Sequence, residues 1–266
     1  MTSEASPFGT RLRQWRQQRG LSQLSLAGQV GSTGRHISFL ETGRSRPSRQ
    51  MVLRLADTLR IGLRDTNELL HAAGLPASYP TVELDSPELA PFRAAVDRML
   101  AAHDPYPGMV LNRHFTVLAA NAACRVLFGV DLVGVNFVRD ALANPAAAQG
   151  IVNWPEVAWA GLDRLRRQHR LTPFDSELGR LVTMAQTALA DVPRPEQAGE
   201  LLVCPWFRVG DQVVRTIVMV ARFDHPAEAT LDELRVELMY PMDAAAERFL
   251  RSAAGRSGAD PSATRN

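Results

Sequence analysis

Phe8, Leu12 and Trp15 recur at helical spacing with arginines between them, and Gly20 ends the run, so the pattern predicts a helix over 8–18. Ser22 is a good N-cap for a short helix over 23–29 that places Leu24 and Ala27 inward, and Val30-Gly31-Ser32 reads as a tight turn. Ser32 or Thr33 can cap a third helix running to about Thr42. In it Ile37 and Leu40 face a core, Thr33, Arg35, His36 and Phe39 fall largely on other faces, and Gly43 marks its end. Apolar residues at core spacing predict two more helices, over 50–60 (Val52, Leu53, Leu55, Ala56, Leu59) and 64–73 (Leu69, Leu70), before Gly74-Leu75-Pro76. These five helices make a compact, mainly α unit over residues 8–75. Its second and third helices, joined by a turn containing glycine, have the helix-turn-helix arrangement.

The pattern then changes. Residues 76–87, rich in Pro, Ser and Asp, read as a linker, and Ser86-Pro87-Glu88 opens a helix through His103. Met109–Leu111 and Phe115–Ala120 read as strands around an Asn112-Arg-His114 turn, followed by a helix from Asn121 to Phe128. Helical spacing returns over 154–170 and 175–190. Leu201–Val209 and Val213–Phe223 read as a hairpin across Gly210-Asp211-Gln212, its second strand central because it is almost continuously apolar. Thr230-Leu-Asp-Glu233 is a capping box that predicts a final helix through Leu250, kinked or split at Pro241. The expectation for residues 88–251 is an α+β domain with an antiparallel sheet, and for 252–266 a disordered tail.

Charge divides along the same boundary. The 266-residue chain has no lysine, so all 30 of its basic residues are arginines. Through Pro76 eleven arginines face five acids, a net +6, while the remaining nineteen arginines face twenty-three acids, a net −4. The basic part is the end suited to a polyanion. The missing lysine excludes P-loop nucleotide binding, kinase chemistry, pyridoxal Schiff bases and serine-lysine dyads. Cys124 and Cys204 form no CxxC pair, so they suggest neither a disulfide framework nor a zinc site, and no cofactor is expected. No apolar run approaches the roughly 20 residues of a membrane span, and the N-terminus lacks a signal-peptide pattern. The reading is a cytoplasmic protein with no membrane partner.

Gly20-Leu-Ser-Gln23, Ile37-Ser-Phe-Leu-Glu41-Thr-Gly43 and Arg46-Pro-Ser48 resemble the Xre, or lambda-repressor-like, helix-turn-helix family. That resemblance implies double-stranded operator DNA as partner. Ser22 and Gln23 then meet backbone phosphates at a helix N-terminus, as do Arg44, Arg46 and Arg49 after the recognition helix. Thr33, Arg35, His36 and Phe39 take the DNA-facing positions, with Arg35 suited to a bidentate guanine contact and Phe39 to a thymine methyl. Gly34 departs from the usual long side chain, which implies fewer base contacts. Glu41 matches a family glutamate that pairs with an arginine of the first helix, here Arg16.

The second half resembles the ligand-binding domain of MmyB-like regulators, a PAS-like fold. Residues 35–48, Ile151-Val-Asn-Trp154 and Thr230-Leu-Asp-Glu-Leu-Arg235 carry that resemblance. It implies a pocket for a fatty-acid-like or other apolar small molecule, with Trp154, Trp206, Met219 and Met239 as candidate contacts. It also fits a homodimer on a roughly palindromic operator. Two other readings of this half remain: a protein-interaction module that takes no small molecule, or an enzyme drawing on His103, Asp104, His114, His169, Cys204 or His225. Those residues form no HExxH, GxSxG or GxGxxG arrangement.

Overall fold

The computed structural model describes residues 6–144, 148–196, 203–224 and 226–257, and the chain divides into two compact units. The first comprises the chain through Leu84 together with two excursions from later in the sequence, Gln168–Ser176 and 226–232. Its bundle consists of α1 (Pro7–Gln18), α2 (Gln23–Gln29), α3 (Gly34–Glu41), α4 (Arg49–Thr58) and α5 (Leu63–Ala72). Hydroxyls of Ser6, Ser22, Thr33 and Ser48 accept the first-turn amides of α1 to α4, so of the two cap candidates for α3 it is Thr33 that serves. Each such cap is worth about 1 kcal/mol.

The bundle core is built on Phe8, Leu12, Trp15, Leu26, Ile37, Leu40, Leu55, Leu59, Leu69 and Leu70. Leu24, expected inward, is instead 76% exposed, while Leu26 is fully buried. At about 100° per residue, Leu24 lies roughly 200° around α2 from Leu26 and cannot share its face. Residues 76–79 of the expected linker fold onto the bundle. The Arg49 guanidinium donates to Pro76 O (2.8 Å) and Ser78 Oγ (2.6 Å), and the Asn67 amide pairs with the backbone of Ser78 and Tyr79. Polar composition hid this, because the partners are polar side chains of the helices themselves.

The second unit begins with a 3₁₀ turn (Pro87–Leu89) and α6 (Ala90–Ala102). Then come β1 (Gly108–Leu111), β2 (Val117–Ala120), α7 (Ala123–Phe128), a π-helical turn (Phe137–Leu142), α8 (Trp154–Leu171) and α9 (Ser176–Ala188). The hairpin β3 (Trp206–Val209) and β4 (Gln212–Ala221) is followed, after α10 (Ala229–Asp232) of the first unit's second excursion, by β5 (Arg235–Pro241) and α11 (Ala244–Ser257). The strands form an antiparallel sheet in the order β2-β1-β5-β4-β3. One face meets α6 through Val96, Leu100, Val110 and Val236. The other carries Met109, Leu111, Val117, Phe207 and Met239 against Leu127 of α7 and Leu250 of α11. α8 and α9 share a further core around Leu162, Leu165, Leu178 and Leu181.

The final helix expected over 230–250, kinked or split at Pro241, is corrected: the capping box opens only one turn, α10, residues 235–241 are a strand between β1 and β4, and helix resumes after Pro241 as α11. Val236 and Leu238 pack towards α6 while Met239 packs towards α7 and α11, the two-residue alternation of a strand buried on both faces. Arg235 and Glu237 are buried within it, so its charged residues do not mark a solvent face. The hairpin's first strand is shorter than expected: Val203–Pro205 are not strand, and Leu201 and Leu202 lie outside the described residues. α11 continues to Ser257, so the first six residues of the expected tail are helical, and 258–266 lie outside the described residues. Among the described residues no helix is long and apolar enough to cross a membrane.

Candidate functional site

The helix-turn-helix is assembled around one buried carboxylate. Glu41, at the end of α3, is fully buried, and its two oxygens receive Arg16 Nε (2.6 Å) and Nη2 (3.0 Å), Gln23 Nε2 (2.8 Å) and Arg13 Nε (3.3 Å). Burial alone would raise its pKa. Hydrogen bonds from Arg16 and Gln23, the Arg16 charge and the Arg13 bond outweigh that and hold the carboxyl below its ordinary range. The same hydrogen bond, donated by Arg16 to Glu41, raises the Arg16 pKa. One group thus ties α1, α2 and α3 together. The Arg16–Glu41 pair is as the sequence led one to expect; Arg13 and Gln23 are additions.

The candidate DNA-facing residues take distinct positions. Ser22, Thr33, Arg35, Arg44 and Arg46 are exposed, whereas Gln23, His36 and Phe39 are half-buried. Ser22 and Thr33 are the N-caps of α2 and α3, at the ends where backbone amides favour anions. The Phe39 ring lies under two guanidiniums, with Arg35 Cζ 5.1 Å and Arg44 Cζ 5.9 Å from its centroid. These are cation–π distances, so the ring holds both arginines on one surface. His36 Nδ1 pairs with Ser32 Oγ at 3.0 Å. Gln23 is engaged by Glu41, and Arg49 by residues 76–78, which ties both side chains to the bundle itself.

The four candidate ligand contacts do not converge. Met239 is buried with Phe207, Val214, Ala246 and Leu250 on the inner sheet face, and Trp154 packs in the α8–α9 core. Trp206 lies on β3 under the Arg215 guanidinium, and Met219 is 59% exposed on β4. A groove of about 510 Å³ opens beside the Met239 core, between the start of β4 and α11. Its lining is mixed: Val213, Val214, Ala246 and Phe249 are apolar, and Gln212, Arg248 and Ser252 are polar. Nothing in the linear pattern points to it, because β4 and α11 are distant in sequence.

Residues considered for catalysis are dispersed. His103 Nε2 pairs with Met239 O, Cys204 Sγ accepts from Val218 N, and His225 lies outside the described residues. The Cys124 thiol is pushed up to about 12, chiefly by burial. Among the described residues, no group of three or more His, Cys, Asp and Glu is placed to hold a metal ion.

Residues 7–69 match the family model of a helix-turn-helix domain. Residues 92–253, more than half of the chain, match the model of the MmyB-like transcription regulator ligand binding domain. The chain belongs to the MmyB-like transcription regulator family. No curated protein matches it. The two matches give this MmyB-like regulator a DNA-binding helix-turn-helix at its N-terminal end and a ligand-binding domain built on the five-stranded sheet.

Proposed function

We propose that the protein binds a roughly palindromic operator as a homodimer, inserting α3 N-terminus first into the major groove. Arg35 reads a guanine, with Thr33 and His36 beside it, while Ser22, Gln23, Arg44, Arg46 and Arg49 serve phosphates. The observation that carries this reading is the pair of exposed arginines, Arg35 and Arg44, stacked on the half-buried Phe39 ring beside the capped N-terminus of α3. Arg35→Ala is expected to weaken binding to a selected operator by about 1–3 kcal/mol and to relax preference at one base pair. Fluorescence anisotropy against a panel of single-base variants measures both. Unchanged affinity and preference would remove Arg35 from the reading role.

The ligand-binding domain is proposed to take a hydrophobic, fatty-acid-like molecule. The groove beside β4 and α11 supports this, since its volume falls in the ordinary range for small ligands and its mixed lining offers Val214 and Phe249 to an apolar tail and Arg248 to an anionic head. Native mass spectrometry of the purified chain is expected to show an adduct that denaturing extraction releases as a lipid-like acid. A clean apo mass that persists after incubation with long-chain fatty acids would favour a protein partner as the signal.

A further inference from the structure

The two excursions that belong to the first unit make contacts that a self-sufficient bundle would not need. Phe174, from the first excursion, sets its ring edge-on to Trp15 at 5.9 Å and 62°, and Arg11 Cζ lies 4.6 Å over the same ring. Trp15 is 1% exposed, so a residue far along the chain completes the bundle core. Asp232, from the second excursion, accepts a hydrogen bond from Leu63 N at 3.4 Å. That amide belongs to the first turn of α5, whose N-cap residue is Gly62 and has no side chain to offer. A Cβ on Gly62 would lie 3.5 Å from Asp232 Oδ2.

The second excursion is also fastened to residues 80–82. Ala229 N donates to Pro80 O (3.0 Å), Thr230 Oγ1 donates to Val82 O (2.8 Å), and the Glu228 carboxylate receives Val82 N (3.1 Å) as well as Thr230 N and Leu231 N. Both excursions are covalently continuous, on either side, with segments of the ligand-binding unit.

We propose that Phe174 and Asp232 form a latch by which two segments of the ligand-binding region hold α1 and α5 of the DNA-binding bundle, so that seating of the latch sets operator affinity. The proposal rests on the DNA-binding reading above. An unseated latch removes an aromatic partner from Trp15 and an acid from the N-terminus of α5, where its charge and lone pair are both favourable. Because coupling free energies are reciprocal, operator binding must in turn favour the seated latch.

The test uses the full chain with Phe174→Ala, Asp232→Asn and the ring-preserving Phe174→Tyr, reading operator affinity by anisotropy and backbone amide exchange by mass spectrometry. Expected are a loss of affinity of about tenfold for Phe174→Ala, a smaller loss for Asp232→Asn and recovery with Phe174→Tyr. Faster exchange in α1 and α5 of the two weakened variants is also expected, as is slower exchange of 168–176 and 226–232 in the wild type when operator is bound. That last readout would not move if the contacts were packing alone, and the mild Asp232→Asn change keeps the test sound should Phe174→Ala unfold. Wild-type affinity in all three variants, or excursions whose exchange ignores DNA, overturns the latch. A wild type that binds no selected duplex overturns the DNA reading instead. The hold on the bundle is then judged by exchange in α1 and α5, and unchanged rates reject it.

Discussion

Replacing Glu41 with alanine is expected to destabilise the helix-turn-helix unit by about 3–5 kcal/mol, because it removes one partner of a buried ion pair and strands the others. Arg16 and Gln23 both point at this carboxylate, whose side chain is wholly inaccessible to water, and Arg16, only 11% exposed, has little solvent to turn to in its place. The exposed pairs elsewhere, such as Arg125 with Asp131, offer a contrast worth at most about 1 kcal/mol each. Urea unfolding followed by amide exchange in α1–α3 measures the loss, and a Glu41→Ala protein as resistant as wild type would refute it. The pair also carries a pH signature. Because the folded carboxyl titrates below its unfolded value of about 4.3, the stabilisation is fully present above that value. It disappears as pH falls through the lower, folded value. Glu41→Gln, which has no proton to gain, should be less stable at neutral pH and should lack this acid-dependent component.

The contrast between Glu41 and β5 explains what could be read from the chain alone. Caps, apolar spacing and the Arg16–Glu41 pair follow from local chemistry or from a recognisable motif, and the bundle helices lie within a residue or two of their expected bounds. β5 owes its conformation to β1 and β4 on either side. In isolation its sequence, Arg-Val-Glu-Leu-Met-Tyr-Pro, alternates polar and apolar only from Arg235 to Leu238, too short a run to outweigh the capping box just before it. The candidate site divides the same way. The exposed arginines of α3 and its following loop were legible because they sit inside the helix-turn-helix motif. The engagement of Arg49 by residues 76–78 was not, since it depends on where the chain goes after α5. The ligand region was the least legible: aromatic and methionine residues fill cores by default, and only the tertiary arrangement separates buried Met239 from exposed Met219.

Gly9→Ala is expected to cost about 3 kcal/mol, against the ordinary rule that alanine improves a helix by up to about 1 kcal/mol over glycine. The reason lies in how closely α1 approaches the end of α3. A Cβ on Gly9 would meet Glu41 O at 2.4 Å, Glu41 C at 2.7 Å and Leu40 O at 2.7 Å. All three atoms are backbone, so no rotamer change relieves the overlap and α1 must move off α3. That movement draws Arg16 away from the Glu41 carboxylate, because both contacts join the same two helices. Thermal melting of Gly9→Ala, Glu41→Ala and the double variant tests this directly. The double variant should lose less than the sum of the single losses, since each change damages the same joint. A Gly9→Ala protein that melts at or above the wild-type temperature would mean that the two helices separate freely. The placement of α3, and of the arginines it presents, would then need another source of rigidity.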